Sequence, residues 1–128
     1  LTDFLNQNNL PAQIHFLKID TEGNDLFVLK GIDWSRIEIE SIICEFEDKK
    51  TLPLDYDHRD LAQYLRNQNY NIFLSEWYPI TAYGQQHKWR KLSRFPCILE
   101  SASAWGNIIA TKNKNITARL DELVKLGN

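Results

Sequence analysis

The stretch FLKIDTEGNDLFVLKG, residues 16–31, joins an apolar segment to a short apolar helix through a run of carboxylates. A strand is predicted over residues 14–19, because apolar side chains on both of its faces are typical of a covered strand in a parallel sheet. A helix is predicted over residues 25–30, with Asn24 as its cap and Gly31 in the left-handed conformation that ends it. A strand that leads directly into a helix indicates an α/β sheet.

The rest of the chain continues to alternate between strand-like and helix-like patterns of apolar residues. Further strands are predicted over residues 41–47, 70–77 and 105–112. Further helices are predicted after a cap at Thr2, from Asp57 to residue 69, and over residues 116–126. Between the last two strands, residues 78–103 are predicted to form a long aromatic and basic connection. The pattern therefore predicts an α/β fold with a mixed sheet of about four strands and flanking helices.

The composition is that of an ordinary globular domain. The 128 residues correspond to about one small domain, and the formal net charge of -2 gives no general attraction to nucleic acid or to anionic lipid. No apolar run is long enough to span a bilayer, so a cytoplasmic protein with no membrane partner is expected. Cys44 and Cys97 have no nearby cysteine partner, which favours two reduced, packed thiols.

Acidic residues follow the ends of two predicted strands. Asp20 and Glu22 come after the first strand, and Glu45 and Glu47 end the second. Because ligands of such sheets bind beyond the carboxyl ends of the strands, these groups are expected to share one rim. Mutual repulsion would raise some of their pKa values unless a cation such as Lys18 compensates, so an acid/base site is predicted.

Two other interpretations of these acidic residues stay open. Carboxylates are common before helices because they cap them and favour the positive end of the helix dipole, and Asp25 is expected to be structural for that reason. A metal-dependent hydrolase would combine the acidic rim with His15, but no ligand spacing supports a metal site, and none is predicted. His15 is expected to be packed within its strand, and His58 to be solvated.

The segment around the first strand resembles a known family signature. FLKIDTEGNDLFVLKGI is similar to the pattern K-[IV]-D-x-E-G-x-[DE]-x-x-V-L-x-G of the FkbM-type methyltransferases, which are S-adenosylmethionine-dependent O-methyltransferases of the Rossmann-like class. The matching residues are Lys18, Asp20, Glu22, Gly23, Asp25, Val28, Leu29 and Gly31. The resemblance runs to about residue 112, so residues 1–112 are assigned to the methyltransferase-like part and residues 113–128 to a terminal amphipathic helix.

The resemblance implies the carboxyl-terminal half of a Rossmann-like methyltransferase domain. Such enzymes hold S-adenosylmethionine with a glycine-rich turn, and the five glycines of this chain form no G-x-G. The cofactor is therefore expected to bind the full-length protein and not this chain alone, which is expected to be inactive. The alternative is a non-catalytic interaction or oligomerisation module, and a G-x-G encoded upstream would separate the two.

The missing half also has a structural consequence. By the resemblance, the strand at residues 14–19 becomes an unpaired sheet edge, which natural proteins normally protect. The expected cover is the missing amino-terminal half, a second copy of the chain, or the helix at residues 116–126.

The resemblance assigns roles to the acidic rim. Asp20 is expected to act as base or hydrogen-bond acceptor for the substrate hydroxyl, with Glu22 as the second candidate. Lys18 would tune either carboxylate, and Glu45 would orient the acceptor, which is expected to be a sugar or glycan.

Aromatic and basic residues alternate in the connection at residues 78–103 and just before it. Trp77, Trp89 and Arg90 are predicted to bind the acceptor, because such a mixture can stack on a sugar face and contact anionic groups. A covering loop is the alternative. Single-stranded nucleic acid is conceivable chemically, but the net charge does not favour it, and no nucleic-acid partner is predicted.

Overall fold

The structure is a computed structural model that describes residues 1–127. Its strands are β1 (Gln13–Ile19), β2 (Glu38–Glu47), β3 (Asn71–Trp77), β4 (Trp89–Arg94) and β5 (Trp105–Thr111). Its helices are α1 (Thr2–Gln7), α2 (Asp25–Lys30), α3 (Asp48–Thr51), α4 (His58–Asn67) and α5 (Lys114–Leu126), with a 3-10 turn at Leu52–Leu54. The architecture is therefore α/β, as the sequence predicts.

The five strands form one mixed sheet in the order β1-β2-β5-β3-β4. β1 and β2 are parallel, whereas the other three neighbouring pairs are antiparallel. The prediction of about four strands is wrong, because β4 lies inside the segment predicted as a connection. Its sequence WRKLSR carries little apolar periodicity, and its pairing with β3 rather than its composition makes it a strand.

One face of the sheet forms the core with α2 and α4. In β2, Ile42, Cys44 and Phe46 are buried, and they alternate with the less buried Ile43 and Glu45. The other contributors to this core include Leu26, Leu29, Leu61, Leu65, Ile72, Leu74, Ile108 and Ala110. The predicted alternation of β2 is confirmed, and it directs Glu45 away from the core face.

The start of α4 is fixed by its sequence. The Asp57 side chain accepts hydrogen bonds from the backbone N–H groups of Arg59 and Asp60. The Asp60 carboxylate in turn accepts a bond from the Asp57 N–H, which completes a capping box. The prediction that Asp57 begins this helix is confirmed. At α2, by contrast, Gly31 has φ −81°, so its predicted left-handed conformation is wrong. Thr2 lies inside α1 rather than at its cap.

β1 is an edge strand, as predicted, but it is not covered on both faces. The Phe16 side chain is 55% exposed. α5 packs against β4 and β5, at the far side of the sheet, where Asp121 forms a 2.5 Å ion pair with Arg94. The prediction of a doubly covered β1 is therefore wrong, since the Phe16 side chain is more than half exposed. α5 does not protect the β1 edge either.

Gly106 lies where β5 closely approaches the backbone of β3. It pairs with Phe46 on one side and with Glu76 on the other. A Cβ atom placed on Gly106 would lie 1.9 Å from the carbonyl oxygen of Ser75, which is far inside van der Waals contact. A residue without a side chain is therefore required at this position of β5.

Cys44 is buried and Cys97 is half-buried, and both are free thiols, as the sequence predicts. Burial raises the pKa of both thiols. Within residues 1–127 the helices are all too short or too polar to cross a membrane.

Candidate active site at the carboxyl ends of β1 and β2

Three carboxylates meet beyond the carboxyl ends of the two parallel strands. One oxygen each from Asp20, Glu22 and Glu45 lie within 4.8 Å of one another. Asp20 and Glu22 are exposed, whereas Glu45 is half-buried. The structure thus brings together three of the four acidic residues that the sequence predicts for one rim, and we call them the carboxylate trio. The fourth, Glu47, is not part of this group and pairs with Lys50 instead.

The turn that carries two members of the trio has an unusual backbone. Glu22 has φ +53° and Gly23 has φ +99°, so two consecutive residues lie in the left-handed region. This conformation is strained for a residue with a side chain, and surrounding contacts must hold it. The Tyr56 hydroxyl donates a 2.5 Å hydrogen bond to the Gly23 carbonyl, and the Asn24 amide donates a 3.2 Å bond to the Thr21 carbonyl.

Two lysines partly neutralise the trio. The Lys18 ammonium donates to Asp20 at 2.5 Å, and Lys50 of α3 donates to Glu22 at 2.7 Å and lies 2.8 Å from Glu47. These bonds raise the pKa of both lysines, which keeps them cationic. Lys18 is predicted from the sequence, but Lys50 is not. Its spacing of three residues after Glu47, the residue that precedes α3, is the signal that indicates their pairing.

Glu45 differs electrostatically from an ordinary surface glutamate. Burial raises its pKa, and the nearby Asp20, Glu22 and Glu47 raise it further, while Lys50 opposes the shift. A carboxyl group in this setting gains a proton more readily than an isolated one does. The trio therefore combines two exposed carboxylates with one that is protonated more readily than an ordinary glutamate, which suits proton transfer to and from a hydroxyl.

The buried Asp25 side chain connects the loop that carries Asp20 and Glu22 to the strand that carries Glu45. This aspartate is 1% exposed and accepts 2.9 Å bonds from the backbone N–H groups of Thr21 and Glu45, together with a bond from the Thr21 hydroxyl. The sequence predicts only a structural carboxylate near the helix start. The bond to Glu45 joins residues 20 positions apart, and local sequence carries no signal for it.

Replacing Asp25 with asparagine is expected to lower the free energy of unfolding by about 2 kcal/mol, because one acceptor oxygen becomes a donor that faces backbone N–H groups. Urea denaturation measures the change. Asp3→Asn, at an exposed position of α1, is the control and should change stability little. A loss for Asp25→Asn no larger than that of the control would contradict the clamping role.

His15 lies away from the trio. Its ring is 3.2 Å from the Glu40 carboxylate, its side chain is 85% exposed, and it sits near the start of β1 rather than beside Asp20. The expectation of a packed histidine is wrong, since β1 is an edge strand. The ligand set of the alternative metal hydrolase is therefore not assembled.

A second acidic group surrounds the start of α4. One ligand atom each from Asp48, Asp57 and His58 lie within 4.8 Å of one another. His58 is buried, contrary to the expectation that it is solvated, because Asp48 accepts bonds from both its backbone N–H and its ring, and its ring packs beside Phe46. Asp57 is used by the helix cap and by Arg59. These hydrogen bonds explain why the three side chains lie close together, and no metal ion is needed to explain it.

The predicted acceptor-binding residues occupy different surroundings. Trp77 stacks on Trp105 with ring centroids 5.8 Å apart. Arg90 lies 4.8 Å from the centre of the Tyr78 ring and 3.6 Å from the buried carboxylate of Glu76. Trp89 is 47% exposed and lies at an apolar groove beneath α5. Trp77 and Trp89 lie opposite each other on β3 and β4, whereas Arg90 contacts Tyr78 and Glu76. The role of the three residues in binding stays a prediction.

Comparison with known proteins connects this geometry to a family. The model of the methyltransferase FkbM domain matches residues 1–72, which include α1, β1, α2, β2 and α4 and the whole trio. No curated protein and no solved structure matches the chain.

Proposed function

Because the chain belongs to the FkbM methyltransferase family, we propose that it supplies the acceptor side of an S-adenosylmethionine-dependent O-methyltransferase. The substrate group is a hydroxyl of a sugar or glycan. The observation that carries the proposal is the carboxylate trio, which lies inside the matched segment at the end of the sheet where α/β folds bind their ligands.

The residues of this chain fit an acceptor hydroxyl better than they fit the methionine part of the cofactor. The trio supplies hydrogen-bond acceptors and Lys18 supplies a donor. A cradle for the cofactor needs a glycine-rich turn, and in the trio's loop Gly23 is the single glycine. When bound, S-adenosylmethionine provides a methyl carbon that an oxygen can attack in line.

In the proposed chemistry, the residues of the trio align the acceptor and take its proton. The Asp20 carboxylate accepts the hydroxyl proton, and Glu22 is the second candidate for this role. The bond from Lys18 keeps the Asp20 side chain in place, while Glu45 orients the hydroxyl from the neighbouring strand. Asp25 and Tyr56 fix the loop, so that these groups are positioned before the substrate binds.

The isolated 128-residue chain is expected to show no measurable binding of S-adenosylmethionine, because its five glycines form no G-x-G turn for the methionine part. It is also expected to self-associate, since the edge of β1 and the exposed Phe16 favour pairing with another strand. Isothermal titration tests the first expectation and analytical ultracentrifugation the second. Micromolar binding would contradict the assignment to the acceptor side, and a strictly monomeric chain would contradict the edge argument.

Activity is tested in the protein made from the complete reading frame. Formation of S-adenosylhomocysteine from S-adenosylmethionine is measured with a panel of mono- and disaccharides. We expect turnover that depends on an added saccharide. Turnover independent of every hydroxyl-bearing compound, or none at all, would favour the alternative of a non-catalytic module.

A further inference from the structure

A cleft opens beside the carboxylate trio. It has a volume of about 370 Å³, and it is bounded by the end of β2 and α3 on one side and by residues 79–87 and 103–105 on the other. Glu45 belongs to both the trio and the cleft wall, and Lys50 links Glu22 of the trio to Glu47 of the cleft. The volume lies within the range of small-molecule sites.

An aromatic wall of this cleft is held in place before any ligand binds. The Trp105 indole stacks on Trp77 at an interplanar angle of 30°, and its N–H donates a 3.0 Å bond to the Tyr78 carbonyl. The His87 ring lies edge-on to it, with centroids 5.0 Å apart. A side chain fixed by three contacts loses little further freedom on binding, which favours its use as a binding surface.

The polar groups of the cleft match a neutral polyol. Glu45 and Glu47 accept hydrogen bonds, while the ammonium groups of Lys49 and Lys50 donate them. The hydroxyl of Ser103 can do both. The charges of the two glutamates and the two lysines cancel. The cleft therefore has no strong electrostatic preference for an anion. A sugar ring presents hydroxyls at its edge and apolar C–H groups on its faces, which suit these polar groups and the aromatic wall respectively.

We propose that this cleft binds a neutral pyranose ring of the acceptor, with Trp105 and His87 as the residues that determine specificity. The proposal rests on the proposed function for its link to catalysis, because a ring in the cleft places a hydroxyl near Glu45 at the edge of the trio. Binding itself needs neither the methyl donor nor turnover.

The test is saturation-transfer NMR on the chain without methyl donor, against hexoses, N-acetylhexosamines, deoxyhexoses, uronic acids and their methyl glycosides. At least one neutral pyranose is expected to bind. Trp105→Ala and His87→Ala are each expected to weaken binding about ten-fold, and Trp105→Phe is expected to retain most of it. His87 is exposed, so its replacement does not threaten folding. Tyr83→Ala, at a fully exposed residue of the same connection, is the matched control and should bind normally.

Several outcomes would overturn the proposal. One is the absence of saccharide binding, and another is a preference for uronic acids. A third is binding that is lost in Trp89→Ala but kept in Trp105→Ala and His87→Ala. The last is salt-sensitive binding of a single-stranded oligonucleotide instead of a sugar. Failure of the proposed function gives a different result, which is saccharide binding that depends on Trp105 in a complete protein that transfers no methyl group. Methyl transfer that is unaffected by Trp105→Ala would refute the assignment of this cleft as the acceptor site, but not the proposed function.

Discussion

The Asp20→Asn variant of the complete protein is expected to transfer methyl groups about 100-fold more slowly than the wild type, or slower still. An amide has nearly the size of a carboxylate but cannot take the hydroxyl proton at neutral pH. The loss should appear in kcat, since the proton moves in the transition state. Cofactor affinity should change little, because Asp20 contacts Lys18 and the other members of the trio, which we assign to the acceptor.

The fold of this variant should be intact. Asp20 and Lys18 are each about half exposed, and ion pairs in such positions contribute little to stability. Circular dichroism and urea denaturation verify this point, and Asp3→Asn serves as the matched control for activity. Wild-type turnover by Asp20→Asn would exclude Asp20 as the proton acceptor, and the same measurement on Glu22→Gln would then test the second candidate.

The Gly106→Ala variant is expected to lose about 3 kcal/mol of stability or more, a large part of what a domain of this size possesses. The new methyl group would lie 1.9 Å from the Ser75 carbonyl oxygen, and 3.2 Å from the Phe46 ring. Backbone cannot give way as a flexible side chain can. β3 and β5 must therefore separate, at the centre of the sheet.

Chemical denaturation compares this variant with Gly31→Ala. Gly31 also has a negative φ, and an added Cβ there would meet its nearest neighbour at an ordinary 3.4 Å. Gly31→Ala should therefore change stability by less than about 1 kcal/mol. Equal effects of the two substitutions would show that the close approach of β5 to β3 does not limit the choice of residue at position 106.

Local patterns account for the parts of the fold that sequence predicts correctly. The strand-turn-helix unit from β1 to α2 is encoded by apolar periodicity, and the start of α4 by Asp57. β4 escapes prediction because its residues are mostly polar and its hydrogen bonds go to β3, at a distance in the sequence. The exposure of Phe16 likewise depends on which element covers a face, and apolar content does not reveal that.

The same distinction applies to the site. The meeting of Asp20, Glu22 and Glu45 is predictable, since the carboxyl ends of adjacent parallel strands share an edge. The clamp from Asp25 to Glu45 and the placement of Trp105 against Trp77 depend on tertiary geometry. The sequence places Trp105 at the start of a predicted strand that follows the aromatic connection. That position does not identify Trp77 as its stacking partner.

The most direct test of the central claim follows the fate of a labelled methyl group. The complete protein is incubated with S-adenosylmethionine that carries a ¹³C methyl group and with a saccharide that it binds, and the product is analysed by NMR and mass spectrometry. We expect the label on a saccharide oxygen in the wild type, and its near absence from the product of Asp20→Asn. Label on a nitrogen or carboxylate, or equal labelling by both proteins, would contradict the assignment of the trio as the acceptor site of an O-methyltransferase.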